Sequence, residues 1–140
     1  MEEYKFDIYL QETGNVFIGI KQLTTTAEQH AVISDLYKKS GLSDVNINLF
    51  VDLRESLTET IFTIEETDDL KFIFDRLDLD KTGDVYLIWD DKNIDQISIR
   101  SLIDNWQYIW YGISDEAVII YIAALKKIIL ITHYGSVFHN

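Results

Sequence analysis

The sequence predicts an α+β fold: a single antiparallel or mixed sheet of about six to seven strands, with two main helices near 26–40 and 98–111 packed against it. Three observations point there. Short runs rich in β-branched and aromatic residues, such as Val85-Tyr86-Leu87-Ile88-Trp89, recur along the chain. Two longer segments instead repeat their apolar residues at helical spacing. With 140 residues, 47% of them hydrophobic, the chain can bury a core without disulfides or metal staples, which predicts one domain over 1–140. There is no repeat, linker or low-complexity tract to divide it.

Taken in order, Tyr4-Lys5-Phe6-Asp7-Ile8-Tyr9-Leu10 alternates well enough to predict a half-buried strand, with Val16 to Ile20 as its hairpin partner beyond a turn at Gly14-Asn15. The helix at 26–40 is well punctuated. Thr25 and Glu28 have capping-box spacing, His30, Ile33, Leu36, Tyr37 and Ser40 share a face, and Gly41-Leu42 fits a helix stop. Val45 to Val51 alternates and predicts a strand, as does Thr60 to Ile64. Thr67-Asp68-Asp69 can cap a short helix carrying Leu70, Ile73, Phe74 and Leu77, although Phe72, Phe74 and Arg76 also suit a strand. Asp84 to Trp89 predicts a strand. Ser98 caps the second main helix, where Ile99, Leu102, Ile103, Trp106 and Trp110 form one stripe and Gly112 follows. Ala117 to Ala123 and Ile128 to Thr132 predict a closing pair of strands, and the second run could lie either at an edge, pairing across a homodimer, or inside the sheet.

Composition narrows the chemistry. The chain holds 24 Asp+Glu against 12 Lys+Arg, a net charge of −12, which argues against binding a phosphate backbone and hence against a nucleic-acid partner. No cysteine is present, which removes disulfides, thiolate metal sites and cysteine nucleophiles. The longest apolar run, Ala117 to Leu125, is too short to span a bilayer, and the N-terminal residues lack a basic-then-apolar secretory pattern. No membrane association and a cytoplasmic, bacterial-type setting are therefore expected.

Motifs for catalysis are thin. There is no nucleophile elbow, phosphate loop or dinucleotide fingerprint, and the six glycines stand singly. Asp78 to Val85 places oxygen side chains at positions 1, 3 and 5 and glycine at position 6, as an EF-hand loop does, but position 12 is Trp89 rather than a bidentate glutamate. A turn leading into a strand explains the segment better. His133 and His139, six residues apart, would share a face if both lay on a terminal strand, yet no metal-ligand spacing accompanies them, even with Asp115 or Glu116 as a third donor. No cofactor or metal is expected.

Charge placement says more. Residues 52–95 contain 14 acids and 5 bases, a net −9, so most of the chain's charge sits in under a third of its length. Trp106, Tyr108, Trp110 and Tyr111 follow within six residues; the tryptophans face the core and the tyrosines the outside or its edge. Aromatics beside carboxylates suit an interface. The expected function is a small acidic protein-binding module that masks a basic partner such as a co-encoded toxin or nuclease, as immunity-type inhibitors do. Its expected partner-binding residues are Asp68, Asp69, Asp90, Asp91, Tyr108, Tyr111, Asp115 and Glu116. The alternatives are a homodimeric scaffold protein and an enzyme dependent on carboxylates or on His133.

Overall fold

A computed structural model describes residues 1–42, 48–57, 59–64, 69–112 and 116–140. Among these residues seven strands form one antiparallel sheet: β1 (Ile20–Gln22), β2 (Glu59–Thr63), β3 (Asp84–Ile88), β4 (Ile94–Ser98), β5 (Val118–Ile122), β6 (Lys127–Ile131) and β7 (Ser136–His139). Their spatial order is β1-β4-β3-β5-β6-β7-β2, every pairing antiparallel. Six helices accompany them among the described residues: α1 (Glu3–Thr13), α2 (Thr26–Lys39), α3 (Leu49–Ser56), α4 (Leu70–Arg76), α5 (Ile99–Asp104) and α6 (Trp106–Ile109). The α+β class and the single sheet stand as the sequence predicts.

The helices divide between the two faces of the sheet. Leu70, Ile73 and Phe74 of α4 and Leu102, Trp106 and Ile109 of α5 and α6 pack with Val85, Leu87, Ile120, Ile129 and Val137, and Phe6 and Tyr9 of α1 lean on the same cluster. On the opposite face, Val32, Ile33, Leu36 and Tyr37 of α2 and Leu49 and Leu53 of α3 pack with Ile88, Ile94, Ile119, Tyr121, Ile128 and Leu130. Strands covered on both faces lose the polar half of their alternation. That is why β5 is buried at all five positions and why its sequence, Val-Ile-Ile-Tyr-Ile, carries no period. β6 lies between β5 and β7, so its isoleucine-rich run is interior and offers no edge to a second copy.

Several expected elements change. Residues 4–10 are not a strand with a hairpin partner at 16–20; they belong to α1, and β1 pairs with β4 instead. The inward residues Met1, Lys5, Phe6 and Tyr9 follow helical spacing, but the fully buried member is a lysine, so counting apolar residues finds only the accidental alternation. Residues 45–47 of the expected 45–51 strand lie outside the described residues, and Leu49 onward is α3. There Asn48 accepts a hydrogen bond from the Val51 N–H (3.0 Å), and Leu49 and Leu53 bury one helical turn apart. The helix expected over 98–111 is two short ones. Asn105 donates through Nδ2 to the Ser101 carbonyl (2.9 Å) and leaves helical geometry (φ −116°, ψ 17°), separating α5 from α6. β4 had no sequence signal of its own, because its second residue is a buried aspartate, Asp95.

Other expectations hold closely. Thr25 caps α2 by accepting from the Glu28 N–H (3.2 Å), and the helix ends at Lys39. The short helix after Asp69 is the realised alternative, with Asp69 accepting from the Lys71 N–H (3.1 Å). The β6–β7 turn depends on Gly135, whose φ is 80° and where an added Cβ would lie 2.3 Å from the Ile64 carbonyl oxygen. The Ile64 N–H in turn donates to the Gly135 carbonyl (2.7 Å), tying the end of β2 to this turn.

Candidate functional site

The β3–β4 connection is built by Asp90. Its carboxylate accepts from the backbone N–H groups of Lys92 (2.7 Å) and Asn93 (2.8 Å) and from Asn93 Nδ2 (2.6 Å). Burial opposes ionisation of this carboxyl, but the three donors together outweigh it and hold it below the usual carboxylate range. The turn stands beside Met1 and Glu2, just before α1. Between them lies a small cleft of about 130 Å³ lined by Met1, Glu2, Trp89, Asp90, Asn93 and Glu116.

Beneath this cleft the contacts are buried and polar. Asp95 of β4 accepts from the Met1 α-amino group and from Trp89 Nε1, the latter at 3.0 Å. Lys5 donates to the Ile109 carbonyl (2.7 Å), and its ammonium lies 4.6 Å from the Trp89 ring centre and 5.3 Å from that of Tyr111. Tyr111 meets Tyr4 (centroids 6.1 Å apart), and one turn further along α1 Tyr9 meets Tyr108 (5.0 Å). The cleft carboxylates, the Tyr4–Tyr111 pair and the Tyr9–Tyr108 pair thus follow one another along α1 as a strip, its far end partly buried against the core.

Of the expected partner-binding residues, this strip brings together Asp90, Glu116, Tyr111 and Tyr108. Asp91 borders a different feature, a groove of about 890 Å³ along α2, with His30, Ile33, Ser34, Tyr37, Lys38 and Lys92 among its lining residues. Asp69 is at the start of α4, on its own cap. Asp68 and Asp115 lie outside the described residues. Sequence reasoning missed Glu2, Tyr4 and Trp89; only the helical register of α1 would have shown that Glu2 and Tyr4 belong here. Trp106 and Trp110 are buried and stacked on each other (5.8 Å), as core residues.

The acids of 52–95 do not form one surface. Eight are exposed among the described residues: Glu55, Asp69, Asp75, Asp78, Asp80, Asp84, Asp90 and Asp91. Asp75, Asp78, Asp80 and Asp84 gather where α4 leads into β3, and Asp90 and Asp91 sit past the other end of that strand, about 20 Å away at the rise of an extended chain. Asp75 is already engaged by Lys71 (2.8 Å) and by Lys81. Asp52 and Asp95 are buried.

The remaining chemical candidates sit apart from the strip. In the Asp78–Asp84 loop, Asp80 accepts from the Thr82 N–H (3.2 Å) and hydroxyl (2.7 Å), and Gly83 turns at φ 91°, which is a turn into β3. Among the described residues no group of three or more His, Asp or Glu is placed to hold a metal ion. His133 and His139 do not share a strand face: His133 meets Tyr134 at a tilt in the β6–β7 turn (ring centroids 3.9 Å apart), while His139 ends β7 and is buried beside Lys127. In the α2 groove His30 Nε2 lies 3.3 Å from Ser34 Oγ, but no third group orients the imidazole among the described residues, as an activated hydroxyl requires. No helix of the described residues is long and apolar enough to cross a membrane.

Two tyrosines on the α2 side yield a direct test. Tyr37 donates to Asp52 (3.1 Å) and Tyr121 donates to Asp35. Burial first, then the hydrogen-bonded carboxylate and its charge, push both phenols well above their usual pKa of 10.0. The folded chain keeps these protons at pH values where the unfolded chain has lost them. Stability is therefore fully present below about pH 10 and declines as pH rises above it. Absorbance near 295 nm (roughly the phenolate band) should show Tyr37 and Tyr121 ionising only as the fold is lost. Tyr37→Phe should flatten the alkaline limb of the stability profile; an unchanged limb would refute the assignment.

No protein-family model matches this chain, and no curated protein or solved structure shows significant similarity to it.

Proposed function

We propose that this protein is an acidic protein-binding module that masks a basic partner, in the manner of an immunity-type inhibitor of a toxin or nuclease. The observation that carries this reading is the convergence of Glu2, Asp90 and Glu116 around the small cleft, next to the tyrosine strip along α1. The net charge of −12 steers a cationic partner toward the molecule and raises its rate of encounter. A partner lysine or arginine then enters the cleft between the carboxylates, with the Trp89 indole in its wall, and Tyr4 and Tyr111 supply rigid apolar contact beside it. Asp90 contributes charge without losing its structural task, because its hydrogen bonds already hold it ionised in the turn.

The first experiment is recovery of partners on tagged protein from the native host's lysate, washed at low and then high salt. A near-stoichiometric basic protein released by salt supports the reading; recovery of the chain alone counts against it. With the partner in hand, Glu2→Lys combined with Glu116→Lys should slow association by about tenfold or more at low ionic strength, with a smaller effect at high salt. The matched reversal of Asp78 and Asp80, at the far end of β3, should change the rate much less. Equal effects from the two pairs would leave only general steering and remove the cleft from the interface.

A further inference from the structure

The groove of about 890 Å³ along α2 lies on the opposite face of the sheet from the cleft. Thr26, His30, Ser34 and Lys38 recur every four residues, with Ile33 and Tyr37 beside them, so one flank of α2 forms a wall about 18 Å long. The β3–β4 turn lines the groove with Asp91 and Lys92. Gln29 fixes that turn against α2, its Nε2 donating to both the Leu23 and the Lys92 carbonyls (3.0 Å each). The hydrogen bonds of Asp90 hold the turn from within. Helix and turn therefore stand in place before anything binds, and a groove of this volume takes a small organic molecule.

Polarity and charge decide what fits there. Ile33 and Tyr37 are buried and supply apolar surface, the Tyr37 hydroxyl being engaged by Asp52, whereas His30, Ser34, Lys38, Asp91 and Lys92 are exposed along the rims. Among the described residues neither Lys38 nor Lys92 has a carboxylate within ion-pair distance. Asp91 is the only carboxylate among the described lining residues; two lysines against it, with His30 neutral, set the lining at +1 in a chain of net charge −12. Exposed charges act over about 10 Å in dilute salt, so an anion is drawn to this groove although the chain as a whole repels it. An organic cation meets one carboxylate here and two repelling ammonium groups.

We propose that the α2 groove binds a small amphipathic anion, an acyl or aryl carboxylate, with its apolar body on Ile33 and Tyr37 and its carboxylate drawn to the rim lysines Lys38 and Lys92. Burial of the apolar body supplies most of the affinity, and the lysines select the sign of the ligand. The site is separate from the acidic cleft and binds without the protein partner.

The test is titration of the full chain with anilinonaphthalene sulfonate, a fluorescent anion of this class, followed by competition with decanoate. Dye binding should saturate, decanoate should displace the dye, and saturating decanoate should raise the melting temperature. Ser34→Trp places an indole in the groove from an exposed helix position, and should abolish dye binding at an unchanged melting temperature. Lys38→Glu combined with Lys92→Glu should weaken binding by about tenfold or more at low ionic strength. The matched reversal of Arg100 and Lys126, both exposed and beyond the other end of β3, should change it by less than about twofold. Absence of saturable binding up to about 1 mM dye overturns the proposal. So does binding that survives Ser34→Trp, which puts the dye elsewhere, or an equal loss from the two charge pairs, which leaves the rim lysines no local role. Tighter binding of the cation acridine orange than of the anionic dye reverses the assigned sign and overturns it as well.

Discussion

Asp95→Ala is expected to cost about 3–5 kcal/mol of folding stability, the range for breaking a buried ion pair from one side. Asp95 is 2% exposed and lies inside the sheet on β4, where it accepts from the Met1 α-amino group and from Trp89 Nε1. Removing the carboxylate strands a part-buried ammonium and a buried indole N–H, and the loss of those two compensations outweighs any gain from no longer desolvating Asp95. Asp95→Asn should fall between: an amide oxygen still serves Trp89, but the charge that holds the α-amino group is gone. Urea unfolding followed by tryptophan emission gives both values. An unchanged slope with a lower midpoint would mark a pure stability change. A loss of less than about 1 kcal/mol for Asp95→Ala would mean that solvent reaches the amine and that the pair is not a buried one. Because Met1 begins the approach to α1, the same variant should loosen the cleft and weaken any partner that uses it.

The residues that hid their structure from the sequence are the ones whose polarity contradicts their location. Lys5 occupies the inner stripe of α1, so the apolar residues around it, Tyr4, Phe6, Ile8 and Leu10, mimic a strand. Asp95 does the same to β4: a charged residue second in a five-residue strand removes the apolar pattern that marks its neighbours β3 and β5. Where capping chemistry is local, the sequence is informative. Thr25 before α2, Asp69 before α4 and Ser98 before α5 all accept the hydrogen bonds their positions suggest. The site was half legible for the same reason. Asp90 and Tyr111 are visible as a turn carboxylate and an outer tyrosine. Their assembly with Glu2 and Tyr4 depends on α1 being a helix that returns across α6, and that is a long-range fact. The concentration of acids in 52–95 was also legible, but β3 runs through the middle of it and separates its ends.

Lys5→Ala is expected to cost about 3 kcal/mol, and comparison with Lys5→Met separates its two roles. Truncation removes three buried methylenes, worth about 0.8 kcal/mol each. It also takes the ammonium donor from the Ile109 carbonyl, a loss of about 1–3 kcal/mol for a buried acceptor left short. Set against these is the relief of no longer burying a charge, which keeps the total below their sum. Methionine restores most of the stem at similar volume without the donor, so Lys5→Met should recover about half of the loss. If both variants lose equally, the ammonium held between Trp89, Tyr111 and the Ile109 carbonyl is what fixes α1. If neither loses more than about 0.5 kcal/mol, α1 is held by Phe6 and Tyr9 alone. The two variants also bear on function, since Lys5 is the side chain on which Trp89 and Tyr111 both converge. A partner bound through the cleft and tyrosine strip should be weakened by Lys5→Ala even under conditions where the variant is fully folded, because the platform for Tyr4 and Tyr111 is then less rigid. A partner indifferent to Lys5→Ala but sensitive to acids at the α4–β3 junction would shift the docking face to that end of the sheet.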